Sequence, residues 1–172
     1  ATKSIFLVTN GQEPDMIQKL GDENALPTQL YLSTNAADYK SFLKINRPRY
    51  DDSWERWNRT LKMLSTLDTR TVLRITLIRG YNDDEEMIPA FASLLQKSNT
   101  HFVEIKSYMH IGRSTNRLEH SDMLEMSEVR SFANKLAQEN SDFTVMDESG
   151  ISRIVILQNK KRFVDRFIPA CC

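Results

Sequence analysis

The chain has 172 residues, enough for one domain with a sizeable core. Hydrophobic residues make up 40% and charged residues 27%, which places it among soluble globular proteins rather than disordered or fibrous ones. Lys+Arg and Asp+Glu are 23 each, so there is no global basic footprint for nucleic acid and any such surface has to be local.

Residues 4–11, SIFLVTNG, predict a strand ending in an Asn-Gly turn. Residues 14–20 predict a short helix, with Pro14 accommodated in its first turn. Residues 29–36, QLYLSTNA, predict a second strand, and 37–45 a short helix. After the turn residues NRPRYDD, Asp52 stands three residues before Glu55 like a capping box, and Trp54, Trp57, Leu61 and Leu64 then recur at helical spacing through about 67. Residues 70–78, RTVLRITLI, predict a third strand rich in β-branched positions. Gly80 and Asn82 mark a turn, and 84–97 predicts a helix with Ile88, Phe91, Ala92 and Leu95 as its apolar stripe.

Residues 101–118, HFVEIKSYMHIGRSTNRL, predict a fourth strand running into a loop, with Val103, Ile105 and Met109 alternating against Glu104, Lys106, Tyr108 and His110. Val129, Phe132, Ala133, Leu136 and Ala137 give the clearest helix. FTVMD and SRIVILQ predict two strands whose short connection allows an antiparallel pair.

Strands separated by helix-containing connections imply parallel βαβ units, buried either in a doubly wound sheet or in a (β/α) barrel. No linker or repeat divides the chain, so residues 1–172 are expected to form a single domain. The second, third and fourth strands each carry a polar row: Tyr31, Ser33 and Asn35; Arg74 and Thr76; Glu104, Lys106, Tyr108 and His110. These rows face either a common lumen or open solvent, and Arg74, Glu104 and Lys106 can pair with one another in either case. Polar groups gather at the C-terminal strand ends, where parallel α/β folds place ligands.

Other signals are weaker. HIGRS has one glycine and is no phosphate loop. His101, His110 and His120 lack a compact metal-ligand spacing, and no metal site is expected. Trp54 and Trp57 read as core anchors. Lys40, Lys44, Arg47, Arg49, Arg56 and Arg59 are either a solvated helix face or a local phosphate-binding strip. Cys171 and Cys172 read as free thiols on a tail, which fits a reducing cytoplasm. No signal-peptide pattern and no apolar run near about 18 residues occurs, so neither secretion nor a membrane partner is expected.

Taken together, FLVTNG, LYLSTNA with KINRP, DSWERW, RTVLRITLIRGYND, FVEIKSYMHIGRS with NRL, and SRIVILQN resemble the archaeal and eukaryotic tRNA 4-demethylwyosine synthases, radical S-adenosylmethionine enzymes. The resemblance implies a partial (β/α) TIM-type barrel, here about four parallel βα units plus a C-terminal pair of strands. It implies a tRNA-modifying role, in which N1-methylguanosine of phenylalanine tRNA is condensed with a two-carbon unit of pyruvate. The cofactors implied are S-adenosylmethionine and a 4Fe-4S cluster held by a CxxxCxxC motif. That motif is not in these residues, so the chain is expected to be the C-terminal portion of such a barrel, inactive and without tightly bound cofactor by itself.

Carried over residue by residue, Asn10, Ser33, Asn35, Arg74 and Thr76 are expected at the S-adenosylmethionine pocket and lumen. Lys106, in the EIK segment, is expected near substrate or pyruvate, as a Schiff-base amine or, more simply, as the partner of a carboxylate. Tyr108, His110, Arg113, Ser114 and Arg117 are expected at the mouth, where the flipped guanine and anticodon backbone arrive. The first strand is expected to be an exposed edge that pairs with the missing half or with another copy. The alternatives are a tRNA-binding module without chemistry and a half-barrel subunit completed by a partner chain.

Overall fold

The computed structural model describes residues 4–168; Cys171 and Cys172 lie outside them. Four βα units run in chain order: β1 Phe6–Thr9, α1 Pro14–Asp22, β2 Gln29–Thr34, α2 Tyr39–Asn46, α3 Ser53–Met63, β3 Arg70–Leu77, α4 Ile88–Ser98, β4 Phe102–Ser107 and α5 Met126–Glu139. The hairpin β5 Phe143–Ser149 and β6 Ile154–Asn159 ends the fold. The sheet order is β1-β2-β3-β4-β6-β5, with β1 to β4 parallel and β6 antiparallel to both β4 and β5. The expected four parallel units and terminal antiparallel pair are therefore both present. The hairpin returns β6 beside β4 and leaves β5 on the edge, where it runs in the same direction as the parallel set.

Period-two alternation separates the two faces. Leu30, Leu32, Leu73, Ile75, Leu77, Val103, Ile105, Val155 and Leu157 are fully buried against the helices. Each contributes roughly 2 kcal/mol of apolar burial. Trp57 is 1% exposed and donates its Nε1 proton to the Ser33 carbonyl at 3.1 Å, fixing α3 against β2. Trp54 stacks on it at 5.3 Å between ring centres. Both tryptophans are core anchors, as their spacing predicted.

Three local expectations are corrected. Asp52 precedes α3 but makes no side-chain cap; its carboxylate instead accepts from Arg56 Nε at 2.8 Å, and no capping box forms. The helix expected from residue 84 begins as a 3-10 turn, Glu85–Met87, because the Asp84 side chain caps Glu86 N before Pro89 enters the first turn of α4. The alternation of the fourth strand stops at Ser107. Tyr108 still donates its N–H to the Leu77 carbonyl at 2.7 Å and is buried, whereas Met109 turns outward and does not join Val103 and Ile105 in the core.

Candidate functional site

At the C-terminal ends of β2, β3 and β4 the polar face opens into a cavity of about 500 Å³. That volume lies in the range of small-molecule sites, about 300–1,000 Å³. Its floor carries one pair of side chains from each strand: Ser33 and Asn35, Arg74 and Thr76, Lys106 and Tyr108. The parallel register explains the assembly, since Ser33 stands beside Arg74 and Thr76 beside Lys106. Side chains two residues apart on adjacent strands must then share one wall.

The walls come from loops. Lys44, Ile45 and Arg47 at the end of α2 form one side, and Ser114, Arg117 and Leu118 the other. Tyr81, on the turn after β3, lies beneath Lys44, whose Nζ is 4.7 Å from the ring centre. Five lining side chains are cationic (Lys44, Arg47, Arg74, Lys106 and Arg117) and no Asp or Glu lines the cavity. In a chain whose net charge is zero, this concentration makes an anion the natural occupant.

Below the floor a column of polar groups holds Arg74 in place. Arg74 Nε lies 2.7 Å from Glu104 Oε1, and Nη2 donates weakly to Oε2 at 3.5 Å. The Nε–H does not point along its short contact, so this pair is held by charge more than by a straight hydrogen bond. The Arg74 guanidinium also lies 4.5 Å from the centre of the Tyr31 ring. Burial, with the Glu104 carboxylate adding to it, raises the Tyr31 phenol above its ordinary pKa, and its oxygen accepts from Gln29 Nε2 at 2.6 Å.

Of Arg74, Glu104 and Lys106, which the sequence allowed to pair with one another, only the first two do so. Glu104 is spent on Arg74, and among the described residues Lys106 has no carboxylate partner. The Ser33 and Thr76 hydroxyls likewise have no protein partner among the described residues, although their carbonyls accept from Trp57 and Asn82. Asn35 donates to Asn46 Oδ1 at 3.1 Å, linking the floor to α2.

Of the residues singled out in the sequence, Ser33, Asn35, Arg74, Thr76, Lys106, Tyr108, Ser114 and Arg117 line this cavity. Asn10 does not: it sits exposed at the end of the edge strand, where its side chain accepts from Gln12 N at 3.2 Å. His110 lies outside the lining set, with its Nδ1 3.1 Å from the Tyr108 hydroxyl, and Arg113 projects from the 3-10 turn Gly112–Asn116. The basic run also divides. Arg56 and Arg59 are bound to Asp52 and Asp15, whereas Lys44 and Arg47 face the cavity. Tyr81 was missed as a site residue; its place directly after Gly80 in the turn beyond β3 was the available signal.

The residues present offer hydroxyls, an amide and cations, which suit the ribose hydroxyls and carboxylate of S-adenosylmethionine. They do not suit a 4Fe-4S cluster. No described residue is a cysteine, and no group of three or more His, Cys, Asp or Glu among the described residues is placed to hold a metal ion. No helix among them is long and apolar enough to cross a membrane.

A family profile described as "Wyosine base formation" matches residues 97–159, the segment containing β4, α5 and the hairpin. The S-adenosyl-L-methionine-dependent tRNA 4-demethylwyosine synthase of Methanocaldococcus jannaschii is 41% identical over 160 residues, covering 93% of this chain and 48% of that protein. The mouse enzyme of the same description, TYW1, is 36% identical over 163 residues, 94% of this chain and 22% of the mouse protein. The chain thus spans about half the length of the archaeal relatives it matches.

Among solved structures, one of TYW1 with a lysine-pyruvate adduct bound superposes with a TM-score of 0.78 at 40% identity, over 91% of this chain and 47% of that one. An archaeal TYW1 crystal structure gives 0.72 at 35% identity, over 92% and 47%. A radical SAM methyltransferase from Sphaerobacter thermophilus, 15% identical with a TM-score of 0.51, shares the fold alone. The mixed α/β fold with its six-stranded sheet is shared with these structures, and the polar rows of β2, β3 and β4 lie on the face that carries the cavity.

Proposed function

We propose that this chain, related along nearly its whole length to about half of an archaeal tRNA 4-demethylwyosine synthase, forms part of the reaction chamber of such an enzyme in the cytoplasm. The observation that carries the reading is the acid-free, cation-lined cavity at the ends of three parallel strands. Its substrates would be tRNA carrying N1-methylguanosine beside the anticodon and pyruvate. When bound, S-adenosylmethionine supplies the hydrogen abstraction from the substrate methyl group; the protein's part is placement and exclusion of water.

Ser33, Asn35 and Thr76 would take the hydroxyls of the cofactor. Arg74 is set by Glu104 and Tyr31 before any ligand arrives, so binding an anion there costs little reorganisation. Lys106, free of protein carboxylates among the described residues, would hold the carboxylate of the ketoacid. One relative's structure contains a lysine-pyruvate adduct, which favours a second role: attack of a neutral Lys106 amine on the keto carbon, with loss of water, to give a Schiff base. Tyr108 and Ser114, with His110 and Arg113 further out, would meet the tRNA.

The 4Fe-4S cluster would be held by a segment that these residues do not include. That segment would also meet the outer edge of β1, which has no neighbouring strand among the described residues and exposes Ile5, Phe6 and Val8. Self-association through the same edge is the alternative, read by light scattering.

The test is reconstitution. The chain is combined with the portion of the M. jannaschii enzyme that it does not span, and tRNA is analysed by mass spectrometry after incubation with pyruvate, S-adenosylmethionine and reductant. Conversion of N1-methylguanosine by the pair and by neither piece alone is expected. A stable pair that binds the tRNA and converts none of it would instead support a tRNA-binding module.

A further inference from the structure

The rim of the cavity contains a second group of cations whose roles the floor does not explain. Lys44 lies in the last turn of α2, Arg47 follows that helix directly, and Arg117 comes from the opposite wall. Arg117 Nη1 reaches the Ile45 carbonyl at 3.4 Å, so the three form one continuous patch rather than scattered charges. None has an ion-pair partner among the described residues, although Arg56, Arg59, Arg79, Arg130, Arg153 and Arg166 all do.

Arg47 carries the strongest signal. It terminates α2 in the left-handed conformation, φ 46° and ψ 61°, the position at which helices favour glycine because a Cβ is strained there. Three other residues without glycine's freedom adopt positive φ. Asn24 and Asn99 belong to a residue type that tolerates it, and Arg153 uses its side chain internally, donating to the Leu124 carbonyl at 2.9 Å and pairing with Glu125 at 3.2 Å. Arg47 has no such internal use among the described residues, and its side chain lines the cavity. Lys44 is explained in part by the negative end of the helix dipole. A strained arginine where glycine would be relaxed is not explained that way.

We propose that Lys44, Arg47 and Arg117 form a phosphate-binding rim that grips the RNA backbone on either side of the nucleotide entering the cavity, with Arg47 kept at a strained helix end for its guanidinium. This rests on the reading of the cavity as an RNA-modifying site. Cations without ion-pair partners among the described residues, gathered at a cavity mouth, suit the phosphodiesters of a single-stranded loop, and such contacts position the chain without reading its sequence. Tyr81, held under Lys44, presents a ring just inside the rim.

The test is equilibrium binding of an unmodified phenylalanine tRNA transcript to the 172-residue chain over a range of salt concentrations, with thermal melting of each variant alongside. Arg47→Gly removes the guanidinium and relaxes the backbone. It is expected to leave the melting temperature unchanged or higher while weakening RNA binding several-fold. Removing one phosphate-binding cation lowers the slope of log affinity against log salt by about 0.7 for a single strand, so Lys44→Ala, Arg47→Gly and Arg117→Ala together lower it by about 2. Lys97→Ala, at the far end of α4, leaves both affinity and slope unchanged. Wild-type binding with variant slopes unaltered overturns the rim while sparing the RNA reading. No salt-dependent binding by the wild type overturns both.

Discussion

His101, at the opposite end of the sheet from the cavity, is held neutral by its surroundings. Its Nδ1 faces the Thr71 N–H at 3.0 Å, and an amide can only donate, so that nitrogen must be an acceptor. Burial first, then the nearby Arg162 and Arg70, lowers its pKa from 6.5 to about 4. The unfolded chain takes up this proton near the ordinary value and the folded chain only near the depressed one. Stability therefore falls as pH drops from about 6.5 to about 4, by up to about 3 kcal/mol. His101→Asn, which keeps an acceptor but cannot titrate, is expected to flatten that part of the urea-unfolding profile. An identical profile in wild type and variant would remove His101 from the acid response. His101 was legible in the sequence only as a poor metal ligand; that it is a buried acceptor depends on the β3–β4 register, which a single sequence does not specify. Lys106 shows the complementary case. Its face was readable from strand alternation, whereas its lack of a carboxylate partner among the described residues follows from a choice by Glu104 between two neighbouring cations.

At the scale of elements, Gly11 governs how α3 meets β2. It has φ +76°, and a Cβ there would lie 2.7 Å from Leu32 Cδ1 and 3.0 Å from Trp57 Cδ1. Its carbonyl accepts from the Thr60 hydroxyl at 2.9 Å, so the turn after β1 is pinned to the middle of α3. Gly11→Ala combines a strained backbone with overpacking and is expected to cost about 2–4 kcal/mol, measured by denaturant unfolding. A loss below about 0.5 kcal/mol would show that the packing around it relaxes freely. The strands and helices themselves were legible because the alternation and the apolar stripes are strong. The capping of α3 and the start of α4 were not, because Asp52 and Asp84 each had a competing use, one for Arg56 and one for a 3-10 turn. The extension of the fourth strand failed for a related reason: alternation continues in the letters after Ser107, but the backbone turns into the wall of the cavity.

Across the whole molecule, the segment after β6 ties the end of the fold to its middle. The Arg162 guanidinium donates to the carbonyls of Leu64, Leu67 and Asn99 at 2.8, 3.2 and 3.0 Å, closing the C-terminal ends of α3 and α4. Arg70 donates to the Asp165 and Arg166 carbonyls at 2.7 and 3.0 Å beside it. Arg162→Ala strands several helix-terminal carbonyls and is expected to lower stability by about 2–4 kcal/mol, read as the midpoint shift in denaturant. The strap lies at the end of the sheet opposite the cavity. The parallel βα pattern made the overall fold legible, and the polar rows indicated the face that carries the cavity. The rim was legible only in part: Arg117 was expected at the mouth, but the run holding Lys44 and Arg47 divided only when α2 and α3 turned those two one way and Arg56 and Arg59 another.

The proposed handling of the ketoacid by the cavity floor is tested most directly through Lys106 in the reconstituted pair. Product is measured by mass spectrometry for the wild type, Lys106→Arg and Lys106→Ala, with tRNA binding checked for each. A fall of about 100-fold or more in Lys106→Ala, on the scale of about 3 kcal/mol of transition-state stabilisation, is the expected result. Retention of activity by Lys106→Arg assigns carboxylate pairing, and its loss assigns the Schiff base. Full activity of Lys106→Ala in a pair that binds tRNA normally would contradict the account.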